Sequence, residues 1–109
     1  MTYTVQLLAL AKADYRRTFQ YIQVRSPQGA ENWELAFEQC LDRLRTNPTI
    51  CSLAPENDLY DYPLYQVLFR TLRGKRYRIV YRIDGQQVTV YRLRGHGQPP
   101  LEKGDLPKG

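Results

Sequence analysis

Between Leu64 and Gln98 the chain carries eight basic residues, Arg70, Arg73, Lys75, Arg76, Arg78, Arg82, Arg92 and Arg94, against the single acid Asp84. They are interleaved with Tyr, Val, Ile and Phe at strand spacing, so a strand here would carry guanidinium groups on one of its faces. Outside this segment the remaining eight basic groups meet ten acids, and the excess behind the net charge of +5 therefore belongs to this third of the chain. A guanidinium matches the oxygens of a phosphate or carboxylate as a bidentate clamp, and Arg78 in such a place would stabilise charge developing in phosphoryl transfer. His96, the sole histidine, could act as general acid or base if it lay within hydrogen-bond reach of a ribose oxygen. Tyr91 offers a ring on which a base could stack. The pattern points to an anionic partner.

Other chemistries find little support. The chain has no paired-carboxylate constellation, no metal-ligand spacing and no phosphate-cradling glycine loop, so neither a metal nor a cofactor is expected. Cys40 and Cys51 suit neither a disulfide framework nor a metal site and read as reduced, structural residues. Residues Met1 to Leu10 lack a basic leader region, and no apolar run approaches the roughly 18 residues of a membrane span, so a cytoplasmic protein is expected. Its 109 residues make one domain, placed at 1–98, followed by a polar C-terminal tail at 99–109.

The elements that would position these residues follow from periodicity. Tyr3 to Leu8 alternates as a short strand, and Ala11, Tyr15, Phe19 and Ile22 form the stripe of an amphipathic helix from about Ala9 to Val24. Asp14 lies on a helix face where Arg17 or Arg45 could pair with it. At Arg25-Ser26-Pro27 one helix ends and the next begins, because Ser26 can cap and Pro27 lacks an N–H only where none is needed. Ala30, Trp33, Phe37, Cys40, Leu41 and Leu44 make a second stripe, which Asn47-Pro48 terminates; the two helices should form an antiparallel hairpin. Thr49 to Pro63 reads as a loop, with room for one helical turn at Glu56 to Leu59. From Leu64 the period becomes two, giving strands at Leu64 to Leu72, Arg76 to Asp84 and Gln87 to Arg94.

A two-residue turn, Asp84-Gly85 or Gly85-Gln86, puts Ile79, Tyr81 and Ile83 on one face with Val88 and Val90. Arg76, Arg78 and Arg82 then share the other face with Val80, Thr89, Tyr91 and Leu93. The preceding hairpin stays open between a Gly74-Lys75 turn, which sets Phe69 and Thr71 beside Arg78, and a three-residue turn, which sets Leu68 and Arg70 there. Tyr81 is expected in the core with its hydroxyl at an edge, and Trp33 and Phe37 in the core outright. The fold class is α+β: an N-terminal strand and a helical hairpin packed on one face of an antiparallel sheet, the other face basic, aromatic and open.

This order of elements resembles the RelE/ParE superfamily of bacterial toxin–antitoxin modules over Val5 to Gln98. The resemblance is carried by Ala11, Asp14, Tyr15 and Ile22, by Ser26-Pro27, by Ala30 to Trp33 with Phe37, Leu41, Leu44 and Pro48, and above all by Tyr77-Arg78-Ile79-Val80-Tyr81-Arg82-Ile83-Asp84. Val88, Val90, Arg94, His96 and Gly97 continue it. What it implies is a type II toxin with a plasmid-stabilisation role, neutralised by an acidic antitoxin as part of a hetero-oligomer. Its target would be DNA gyrase for a ParE-like member, or ribosome-bound messenger RNA, cut without a metal, for a RelE-like one. On the nuclease reading Arg78 matches the arginine at the scissile phosphate and His96 the terminal histidine of one branch, while the nuclease lysines would fall at Phe69 and Thr71. Their absence and the helical Ser26-Pro27 to Trp33 pattern favour gyrase, while the Gln98-Pro99 that follows His96-Gly97 departs from the family's ending and weakens the match of His96 to a catalytic role. Arg70, Arg73, Lys75, Arg76, Arg78, Arg82, Tyr91 and Arg94 would face the nucleic acid or the antitoxin. A nucleic-acid-binding module without toxicity is the alternative that the charge pattern alone supports.

Overall fold

A two-residue alternation needs a partner strand before it becomes a sheet, and the chain supplies four. In a computed structural model, which describes residues 2–49, 51–71 and 74–106, the elements run β1 (Thr4–Leu7), α1 (Ala9–Arg25), α2 (Pro27–Thr46), β2 (Ser52–Leu53), a short 3-10 helix (Pro55–Leu59), β3 (Tyr65–Phe69), β4 (Tyr77–Asp84) and β5 (Gln87–Gly95). The sheet order is β1-β5-β4-β3-β2. All neighbours are antiparallel except β1, which runs parallel to β5 with Val5 opposite Val88. None of the described helices is long and apolar enough to cross a membrane.

The helical hairpin forms where the punctuation predicts. Ser26 closes α1 by donating its N–H to the Ile22 carbonyl at 2.8 Å, and opens α2 by accepting the Gly29 N–H on its Oγ at 2.9 Å. The stripe of α2, Ala30, Trp33, Phe37, Cys40, Leu41 and Leu44, is wholly buried. It packs with Ala11, Ile79, Tyr81, Val88 and Val90 into the main core. Trp33 and Phe37 sit at the centre of its aromatic part, with ring centroids 5.6 Å apart.

Tyr81 is fully buried and donates its hydroxyl to the Pro48 carbonyl at 2.6 Å. The phenol is pushed well above its usual pKa, by burial first and by Cys51 beside it. Replacing Tyr81 with Phe keeps the ring but leaves that carbonyl without its donor, and should cost about 1–2 kcal/mol. A urea midpoint equal to wild type would show that the bond contributes nothing.

The turn between β4 and β5 is Gly85-Gln86, since Asp84 pairs with Gln87, and Gly85 takes the φ of +61° that the first position of a type II′ turn requires. The register then shifts: Tyr81 faces Val90, but Val80 faces Arg92, so Tyr91 is the extra residue of a β-bulge. This corrects the simple alternation. Leu93, expected on the outer face, joins the helix-side core at 4% exposure. The β3–β4 connection is also longer than either turn considered, because β3 stops at Phe69 and β4 starts at Tyr77. Its parity matches the three-residue alternative, with Leu68 opposite Arg78 and Phe69 in the core.

The outer face of the sheet is not open. Val80 and Tyr91 on that face pack with Ala54 and Leu64 and with Leu101 and Leu106 in a second core. Residues beyond Gln98, expected as a polar tail, therefore fold back over the sheet as far as they are described. Two apolar residues spaced five apart in a polar segment carry no periodic signal, but each is under 7% exposed. Arg94 donates to the Pro99 carbonyl at 2.8 Å and Arg92 to the Asp105 carbonyl at 2.6 Å, which ties the returning segment to β5.

Candidate anion-binding site

The bulge and the returning segment sort the basic residues into three groups. The first is locked into ion pairs. Arg78 is bound bidentately by Glu56, with Nη1 to Oε1 at 2.8 Å and Nη2 to Oε2 at 2.5 Å, and the Glu56 side chain has no solvent exposure. The same Oε2 accepts the Leu101 N–H at 2.6 Å, so one carboxylate fastens β4 to the C-terminal segment. Burial alone would raise the pKa of Glu56, but hydrogen bonds from Arg78 and Leu101, with the charge of Arg78, outweigh it and hold the carboxyl below its ordinary value. Arg92 is similarly held: its Nε and Nη2 meet Asp14 at 2.8 and 3.0 Å, and burial does not offset that support, which raises its pKa. Asp14 also pairs with Arg17, as expected, at 2.6 Å; Arg45 pairs with Asp42 instead.

The second group lies away from the rest. Arg82, near the turn end of β4, stacks 3.8 Å from the Tyr62 ring centroid and lies 3.7 Å from Asp84. Tyr91 is 6% exposed and its hydroxyl lies 2.8 Å from that of Tyr62. Burial, then Tyr62, pushes its pKa up to about 12. A ring so enclosed has no free face for a nucleobase, so the stacking role expected of Tyr91 is not available in this fold. Arg70 is exposed and borders a cleft between α2 and β3 together with Arg43, whose guanidinium donates to the Leu68 carbonyl at 3.2 Å. Arg73 lies outside the described residues.

The third group is gathered where β4 begins and β5 ends. Lys75, Arg76 and His96 are exposed there around Tyr77. A depression of about 160 Å³ is lined by Arg76, Tyr77, Arg78 and His96, and an adjoining one of about 320 Å³ by Arg17, Tyr21, Lys75, Tyr77 and His96. Among the described residues no carboxylate lines either. Arg94 stands opposite Arg78 across the two strands, and its Nε is buried without a partner. Burial and then the neighbouring Arg92 and Arg78 lower the pKa of its guanidinium. Of these two opposed guanidinium groups Glu56 binds Arg78, and cations gather at this end of the sheet.

Of the residues singled out in the sequence, the structure brings together Lys75, Arg76, Arg78, Arg94 and His96. Arg17 and Tyr21, four apart on α1, were missed as members of this surface because helix periodicity marks them only as a solvated face. Glu56 was missed altogether; a single acid in an aperiodic loop gives no sign of its partner. Such a surface can hold carboxylates or phosphates. For strand cleavage it lacks a free Arg78, whose fork is already filled by Glu56.

A family model described as the ParE toxin of the type II toxin–antitoxin system parDE matches residues 5–100. Among solved structures the chain is similar to the toxin–antitoxin complex RelBE2 from Mycobacterium tuberculosis, at 21% identity and a TM-score of 0.49, covering 88% of this chain and 100% of that one. No curated protein sequence matches it.

Proposed function

Because the chain belongs to the family of ParE toxins of type II toxin–antitoxin systems, we propose that it acts by binding and not by cutting: it inhibits DNA gyrase and is neutralised by an acidic antitoxin. The observation that carries the choice of mechanism is the Arg78–Glu56 pair. The arginine that a nuclease would set against the scissile phosphate already holds a carboxylate through both arms of its fork. Breaking such a buried pair to admit a phosphate exchanges one charge-assisted clamp for another and leaves Glu56 buried and unpaired. The residues opposite Arg78 and Val80 on β3 are Leu68 and Gln66, which supply no ammonium group to a transition state. The open cations Lys75 and Arg76 suit an acidic protein surface, where charge complementarity sets encounter rate and partner choice.

Ribosome-dependent cleavage of messenger RNA is the second reading, and the observation in its favour is that Arg76, Arg78 and His96 line one depression. The two readings part in a pair of assays. Added to gyrase and relaxed plasmid, the purified protein should block supercoiling or trap cleaved DNA, and added to a translating extract it should leave messenger RNA intact. Codon-position cuts by the wild-type protein would establish the nuclease reading instead, with a roughly hundredfold or greater loss expected for the missing transition-state contact in an Arg78 variant shown to remain folded.

A further inference from the structure

A cleft of about 430 Å³ opens between the tip of the helical hairpin and the β3–β4 connection, walled by Ile22, Trp33 and Tyr77 and rimmed by Asn32, Thr71 and Lys75. Trp33 is 2% exposed, and its indole Nε1 is buried with no hydrogen-bond partner. Buried donors are nearly always paired, because an unpaired one forfeits its bonds to water with no return. Among the described residues this N–H is uncompensated, and it is closed off from solvent in the cleft that Trp33 lines. Among the described residues no carboxylate lines the cleft, and it shares Lys75 and Tyr77 with the depression that adds Arg17 and His96. On the border of that depression Tyr21 is 58% exposed, with the Arg25 guanidinium stacked 3.7 Å from its ring centroid.

An apolar slot with Lys75 on its rim, next to a depression that adds Arg17, fits a protein segment that is apolar at one position and acidic beside it. We infer that the antitoxin seats one large apolar side chain in the Trp33 cleft, with a carboxylate of the same segment against Lys75. This rests on the toxin reading above and adds the place and the chemistry of neutralisation. The anchor would fill the kind of desolvated pocket from which most interface energy comes, while Lys75 and Arg17 form a charged rim.

Trp33 is the chain's only tryptophan, so a reporter placed there reads one site. The full-length toxin, labelled biosynthetically with 5-fluorotryptophan, is titrated with the unlabelled antitoxin encoded beside it and followed by fluorine NMR. The single resonance should move to a new position and saturate when the complex is complete. Asn32→Tyr, which crowds the cleft from its rim, and Lys75→Glu should each weaken the complex by about tenfold or more at low salt. If either variant does not fold, the resonance of the wild-type protein still decides. A complex that forms with the resonance unmoved, or that forms with undiminished affinity in either folded variant, overturns this seat and leaves the toxin reading standing. Failure to form any complex removes both.

Discussion

Replacing Glu56 with Ala should destabilise the protein by about 3–5 kcal/mol, the cost of leaving a buried ion pair half broken. The carboxylate is the sole acid on Arg78 among the ion pairs of the described residues, and it also receives the Leu101 N–H. Its loss leaves Arg78 without its carboxylate opposite the guanidinium of Arg94, and unlatches the segment that buries Leu101 and Leu106. Against a total stability of about 5–15 kcal/mol the change is large enough to bring the variant near its unfolding transition at room temperature. Replacing both partners, Glu56→Leu with Arg78→Met, should recover much of the loss, because two apolar side chains need no charge compensation. The pair also sets an acid limit. Folding lowers the pKa of Glu56, so the unfolded chain binds its proton more readily, and the contribution is full above the unfolded value of about 4.3 and is lost as pH falls through the folded value. Wild type should therefore lose stability more steeply than Glu56→Gln below about pH 4.3. Equal urea midpoints for wild type and Glu56→Ala at pH 7 would show that the pair contributes nothing.

Asp14→Ala should have an effect of the same order, about 3–5 kcal/mol, for a different reason. β1 ends its pairing at Val90, and β5 runs on to Gly95, so the later part of β5 has an edge without a neighbouring strand. Asp14 supplies what is missing there: it is 2% exposed, accepts the Leu93 N–H at 3.0 Å and holds Arg92 through two nitrogens. Removing it leaves the buried Leu93 N–H without its acceptor and Arg92 without its carboxylate, with the Asp105 carbonyl still in place. Asp14→Asn keeps one acceptor oxygen and should lose less. The signature beyond stability is local, since exchange of the Leu93 amide hydrogen should accelerate far more than that of Val88, which β1 and β4 flank. A variant whose Leu93 amide stays protected would refute the role given to Asp14.

What the sequence determined by itself is what local periodicity and punctuation can encode. The 3.6-residue stripes of α1 and α2, the stop and start at Ser26-Pro27, the period-two strands, the turn at Gly85 and the inward ring of Tyr81 were all legible, because each depends on residues within about one turn or one strand of each other. The uneven charge was legible as well, and so was the family pattern around Tyr77 to Asp84. Only the tertiary structure decided which charges are free. Glu56 meets Arg78 across 22 residues and Asp14 meets Arg92 across 78, and an ion pair depends on distance in space, which no spacing along the chain records. The bulge at Tyr91 likewise exists only once β4 lies beside β5. It turns Leu93 inward and brings Arg92 to Asp14, and a count by twos cannot foresee one extra residue. The return of Leu101 and Leu106 then covers the outer face, because Val80 and Tyr91 present apolar surface there that solvent would otherwise wet. A strand pattern that promised an open basic face thus folded into a second core, with its free cations gathered at one end of the sheet.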